Sequence, residues 1–217
     1  MADDWLTLFE FAMEMIDRAE TLIGGKIAWS IGGGTMLHQK FSHRHSKDID
    51  IFLSDPQVLL ALSPRTNDAA ERIANTGKYE EGSNFIKIAI SSGEIDFIVA
   101  PHLTKPHATS QRIGSRMAMV ETPSEIMAKK LLYHAAEFTA RDMFDLAFMI
   151  ENGEADTLFL EEKSTYLPKL LTVLKRINSR QLVLRRAFEQ IDVDQYRPTF
   201  DHCLEVIRDF ISKHSVH

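Results

Sequence analysis

Apolar residues recur at helical spacing from the start of the chain. Leu6, Phe9, Met13, Ile16 and Leu22 share a face over residues 4–23, and Gly24-Gly25 ends the run. The period then shortens to two. Ile27, Trp29 and Ile31 alternate with Ala28 and Ser30, which predicts a strand over 26–31. Gly32-Gly33-Gly34 turns the chain, and a short helix is expected over 35–41. Alternation returns over 48–53 and is broken by Ser54-Asp55-Pro56. Helices follow over 56–62 and 66–75, the second capped by Thr66 or Asn67. Residues 85–90 and 95–99 read as a hairpin turned at Ser91-Ser92-Gly93. The stretch 101–114 is polar, with His102, Lys105, His107 and Arg112, and reads as a loop before a last strand over 116–120.

Beyond that strand the pattern is helical, over 123–137, 139–151, 168–190 and 199–213. The first of these opens on Thr122-Pro123-Ser124-Glu125, a Thr cap with proline in the first turn and glutamate three positions on, which predicts a capping box. The chain therefore reads as an α+β protein. A mixed sheet with flanking helices is expected over 1–120, and a helical bundle over 121–217 that completes the active-site cleft. No internal repeat or low-complexity segment stands out.

Composition narrows the class. With 217 residues, 44% hydrophobic and 26% charged, the chain is long enough for a sizeable core and ordinary for a soluble protein. A formal net charge of -6 excludes a basic nucleic-acid coat, though not a local basic patch. The single cysteine, Cys203, permits no internal disulfide and no cysteine-based zinc site. Met1-Ala2-Asp3-Asp4-Trp5 lacks the basic start and apolar run of a signal peptide, and no segment is apolar enough to span a membrane. A cytoplasmic location is the expectation.

The candidate chemistry lies in Gly32-Gly33-Gly34-Thr35 and Asp48-Ile49-Asp50-Ile51-Phe52. Residues two apart on a strand project to one face, so Asp48 and Asp50 can grip the same metal while Ile49 and Ile51 enter a core. A second acidic strand carries Glu94 and Asp96. Asp96 is the chosen third carboxylate because it sits inside the apolar run, whereas Glu94 follows the turn glycine. Magnesium prefers oxygen ligands and bridges carboxylates to substrate phosphates, and two such ions stabilise the attacking and leaving oxygens of in-line transfer. Gly33 and Gly34 let the backbone approach phosphates, the following helix offers free N–H groups, and Thr35 adds a hydroxyl. This pattern points to a two-metal nucleotide-transfer site using Mg2+, with Mn2+ as a substitute. Arg44 is a phosphate or aspartate partner beside it.

These residues resemble the AbiEii/AbiGii toxin family within the polymerase β-like nucleotidyltransferases. The resemblance rests on Gly33-Gly34-Thr35, then His43-Arg44, Ser46 and Asp48-Ile49-Asp50-Ile51-Phe52, then Lys130-Leu131 and Arg141-Asp142-Met143-Phe144-Asp145-Leu146. It covers about residues 25–150. It implies Asp48 and Asp50 as metal ligands, Gly33, Gly34 and Thr35 at the triphosphate, Lys130 neutralising phosphate charge, and Asp142 as an acidic group near the acceptor. It further implies an NTP donor, an RNA acceptor such as a tRNA 3′ end, and a toxin role in a toxin–antitoxin or phage-defence system, the former with an antitoxin partner.

The remaining features have plainer readings. His38, His43 and His45 lack zinc-ligand spacing and read as exposed loop histidines. Asp145 reads as structural. Residues 169–186 hold Lys169, Lys175, Arg176, Arg180, Arg185 and Arg186 with no acid, a face able to track RNA, dock an acidic partner, or merely meet solvent. Two other functions stay open: transfer to a protein or a small molecule such as an aminoglycoside, and a catalytically silent binding module.

Overall fold

Branched apolar residues at every second position build the central strands of a seven-stranded sheet in the computed structural model, which describes residues 4–215. Its strands are β1 (Trp29–Gly32), β2 (Ile49–Leu53), β3 (Lys78–Glu81), β4 (Phe85–Ile90), β5 (Gly93–Val99), β6 (Ala108–Ile113) and β7 (Arg116–Glu121). They run in the order β3-β4-β5-β2-β1-β7-β6. The pairs β2/β5 and β1/β7 are parallel, and the other neighbours are antiparallel. Ile49, Ile51, Leu53, Ile86, Ile88, Ile95 and Phe97 are buried on one face. Helices α1 (Asp4–Ile23), α3 (Leu59–Leu62) and α4 (Asp68–Ala74) pack there, while α2 (Gly33–Phe41) leads away from β1. Each such residue contributes about 1.5–3 kcal/mol by leaving water. The face is fixed by the alternation, because a one-residue slip would turn every isoleucine outward.

The chain divides into two compact units. The first holds the sheet and comprises the residues up to Met36, Ser46–His102 and Ala108–Glu121. The second comprises Leu37–His45, Leu103–His107 and the chain from Thr122 onward. Its helices are α5 (Pro123–His134), α6 (Ala140–Glu151), α7 (Asp156–Ser179), α8 (Gln181–Phe188) and α9 (Phe200–Ser215). Phe138, Met143, Phe144, Leu146, Phe159, Leu170, Val173 and Ile177 fill its interior.

Several elements depart from the sequence expectation. The expected loop 101–114 contains β6, and β3 was not foreseen. Both are edge strands with most side chains in water, so neither carries the alternation that marks a half-buried strand. β1 starts three residues later than expected and runs into Gly32. The helix expected over 56–62 is a short 3-10 turn, Pro56–Val58, followed by a single α-turn. Asn67, not Thr66, caps α4 by accepting the Ala70 N–H. The helical stretch expected over 168–190 is preceded by helix from Asp156 that kinks at Glu162, where φ is -131° and ψ 38°, and it breaks at Arg180 into α7 and α8.

The capping box at α5 forms by half. The Thr122 hydroxyl accepts the Glu125 N–H, but the Thr122 N–H donates to the His107 carbonyl. The buried Glu125 carboxylate instead accepts the backbone N–H groups of Leu103 and Thr104. The reciprocal box occurs at α6, between Thr139 and Asp142.

Candidate active site

In the sheet unit the register assembles one row across neighbouring strands. Gly32 pairs with Asp50, Asp50 with Asp96, and Asp96 with Lys87. Residues in register on adjacent strands share a face, with backbones roughly 5 Å apart, so Asp50 and Asp96 stand side by side on one face of the sheet. Asp50 also lies against the glycine turn. Gly33 has φ +73°, a conformation that L side chains rarely adopt, and a Cβ placed on it would fall 1.7 Å from Asp50 Oδ2. Position 33 thus needs glycine for the backbone and again for the carboxylate beside it. Gly33 and Gly34 open α2, where the first N–H groups have no intrahelical acceptor and the dipole favours an anion.

Asp48 and Thr35 have tasks the sequence did not suggest. Asp48 stands one residue before β2, and its Oδ1 accepts the Glu94 N–H at 3.1 Å. The buried Thr35 hydroxyl donates to the Asp48 carbonyl at 2.6 Å and lies 3.2 Å from the Ser46 hydroxyl. This bond ties the first turn of α2 to the entry of the aspartate strand.

Asp96 is the electrostatically strained member of the row. Its Oδ2 meets Lys87 Nζ at 3.1 Å, while its buried Oδ1 has no hydrogen-bond partner. Burial, opposed by Lys87 and assisted by the charges of Glu94 and Asp48, pushes its carboxyl up to about 6. Among the described residues no three His, Cys, Asp or Glu side chains converge on a metal position. The donor set nevertheless fits a hard divalent cation, because two carboxylates are adjacent in register and one presents an unpartnered buried oxygen. Asp50 and Asp96 would hold such an ion, with Asp48 joining if it turned from Glu94.

The second unit gathers the other candidates around Asp145. Its fully buried carboxylate accepts from Arg44 Nε at 2.6 Å and Nη2 at 2.7 Å, and from Lys130 Nζ at 2.9 Å. His43 Nε2 lies 2.8 Å from Oδ1. Burial alone would raise the Asp145 carboxyl, but Lys130 and Arg44 outweigh it and hold it well below the usual carboxylate range. Lys130 also reaches Asp142 at 2.5 Å, and these two carboxylates overcome burial to raise its ammonium to about 12. Asp142 is the N3 residue of the α6 capping box, and Lys130 lowers its carboxyl against the effect of burial. Arg44, expected as a phosphate or aspartate partner beside the metal site, is paired with Asp145, which was read as structural. His43, expected to be exposed, is buried, and only His45 of the three histidines is largely in solvent.

Two residues beside the row escaped sequence reasoning. Glu121, buried at the end of β7, accepts a hydrogen bond from the Ser30 hydroxyl at 2.8 Å, and its Oε2 lies 2.4 Å from where a Gly32 Cβ would stand. Lys87 occupies the polar side of β4, between the buried Ile86 and Ile88. The alternation did announce that Lys87 faces away from the core. The hairpin expected over 85–99 set the Asp96 strand beside it, and the register makes Asp96 its partner.

The sequence pattern of one protein family, described as nucleotidyl transferase AbiEii toxin, type IV TA system, matches residues 21–212. No curated protein matches the chain. Among solved structures, JHP933 from Helicobacter pylori is similar at 14% identity and TM-score 0.48, with 99% of this chain and 96% of that one covered. MenT4, a nucleotidyltransferase toxin from Mycobacterium tuberculosis, is similar at 14% identity and TM-score 0.46, with 100% and 86% covered. The antibiotic-resistance factor ANT(2")-Ia, solved with adenylyl-2"-tobramycin, is similar at 17% identity and TM-score 0.48, with 74% and 98% covered.

Proposed function

Because the chain belongs to the AbiEii nucleotidyl transferase toxin family and is a nucleotidyltransferase, we propose that it moves a nucleoside monophosphate from an NTP to an RNA hydroxyl, with a tRNA 3′ end as the acceptor. The observation that carries the site assignment is the pairing of Asp50 with Asp96 while the Asp50 carboxylate packs on Gly33. In this reading the triphosphate lies on the N–H groups of Gly33 and Gly34, where the helix dipole favours it. Thr35 acts through Asp48, fixing the strand entry against the phosphate turn. The acceptor hydroxyl gives up its proton to solvent as its oxygen attacks the α-phosphorus, the bond from that phosphorus to the oxygen bridging to the β-phosphate breaks, and pyrophosphate leaves. Asp50 and Asp96, with Asp48, would hold Mg2+ or Mn2+, which supplies charge neutralisation for the attacking and leaving oxygens when bound. We assign Lys130, Asp142 and Arg44 a part in the same transfer on the family run that they occupy.

The basic stretch supports an RNA acceptor. Lys175, Arg180 and Arg186 are exposed along α7 and α8, in a protein whose net charge is -6. The family's place in type IV toxin–antitoxin systems supports an antitoxin encoded with it, and its NTP and RNA substrates support a cytoplasmic site of action. No helix among the described residues is long and apolar enough to cross a membrane.

The test is incubation of purified protein with total RNA, magnesium and each α-labelled NTP in turn, beside Asp48→Ala/Asp50→Ala. Label in a tRNA-sized band that the double variant fails to produce is the expected result. Label on protein, or on an added aminoglycoside, would reassign the acceptor. Equal labelling by the folded double variant would remove the site assignment.

A further inference from the structure

We propose that Lys87 is a resident counter-ion of the carboxylate row that competes with the divalent cation for Asp96, so that the nucleotide-free enzyme binds the cation weakly and takes it up together with the triphosphate. The inference rests on the cation-site reading above. Lys87, Asp96 and Asp50 occupy one register row on three adjacent strands. The Lys87 ammonium lies 3.1 Å from Asp96 Oδ2 and 3.0 Å from Glu94 Oε2, so it covers one of the two carboxylates a cation would need. The side chain is not locked in. It keeps 37% of its exposure, and its long stem can carry the ammonium away. The Oδ1 of the same Asp96 is buried and unpartnered. The lysine therefore satisfies the carboxylate by half, which is the arrangement of a placeholder rather than of a finished structural ion pair. An arriving Mg2+–triphosphate offers both exchanges at once, a cation for Asp96 and phosphate oxygens for the ammonium.

The test is direct titration of Mn2+ into nucleotide-free protein, with free Mn2+ followed by electron paramagnetic resonance. Wild type, Lys87→Met, Lys87→Arg and Asp50→Ala are compared after circular dichroism has established that each is folded. Removing one positive charge at this range should tighten Mn2+ binding about tenfold in Lys87→Met. Lys87→Arg, which keeps the charge, should stay within about twofold of wild type by the same reasoning. Unchanged or weaker binding in Lys87→Met overturns the inference while leaving the cation site standing. If no protein binds Mn2+ in a way that Asp50→Ala abolishes, the cation-site reading itself falls, and this inference with it.

Discussion

A single methyl group at Gly33 should disable the enzyme, and for a reason separable from backbone strain. Gly33→Ala forces an L side chain to φ +73°, which costs roughly 1–2 kcal/mol. It also places Cβ 1.7 Å from Asp50 Oδ2, about half an ordinary carbon–oxygen contact, so the carboxylate must move by more than an ångström. A displacement of that size at a reacting centre costs about 100-fold in rate. Gly24→Ala isolates the first effect from the second. Gly24 has φ +67°, yet nothing lies within 4 Å of the position its Cβ would take. Gly24→Ala should lose about 1–2 kcal/mol in urea unfolding, and Gly33→Ala at least as much. Only Gly33→Ala should lose label transfer from an α-labelled NTP, by about two orders of magnitude. Transfer by Gly33→Ala within threefold of wild type, or an equal loss in Gly24→Ala, would refute the claim that position 33 is glycine in order to seat Asp50.

Asp145→Asn should be among the most destabilising single changes in the helical unit, since it leaves Arg44 and Lys130 buried against a neutral amide. About 3–5 kcal/mol is expected from chemical denaturation, and a loss under 1 kcal/mol would mean that the network is incidental. The Asp145 carboxyl is held below its ordinary value of 3.8, so its contribution is complete above that pH and is lost only as pH falls further, through the folded value. Asp96 has the opposite sign. Its carboxyl, raised from 3.8 to about 6, favours folding fully below pH 3.8, and that stability is lost as pH rises through 6. In metal-free buffer, Asp96→Asn should therefore gain on wild type between pH 4.5 and 7.5, by at most about 3 kcal/mol, while losing transfer activity. Parallel stability–pH curves for the two proteins would contradict that assignment. Thr122→Ala should cost about 1 kcal/mol in thermal or urea melts by freeing the Glu125 N–H at the start of α5, and a silent substitution would show that Pro123 suffices there.

Local pattern alone determined much of this protein. Alternation at 49–53, 85–90 and 95–99 forced strands whose isoleucines face a core, because the side-chain period of an extended chain allows nothing else. Asp50 and Asp96 followed as residues on the opposite face, and the glycines before Thr35 announced a turn at the start of a helix. Elements with no face to bury were illegible, since β3 and β6 meet water on most of their positions and are held by their neighbours' ladders. The partnerships were equally hidden. The hairpin put the strands of Lys87 and Asp96 side by side, but that Asp50 stands level with Asp96 and that Glu121 fills the space over Gly32 are consequences of strand order and register, which bring together residues up to about ninety positions apart. In the same way Arg44, Lys130 and Asp142 were read as groups for phosphate or acceptor and His43 as an exposed loop residue, while the structure gathers Arg44, Lys130 and His43 on the buried Asp145 and pairs Lys130 with Asp142 as well. Sequence periodicity fixes which way a side chain points, because that depends only on backbone geometry. What it meets there depends on contacts between distant segments, and only the tertiary structure decides those.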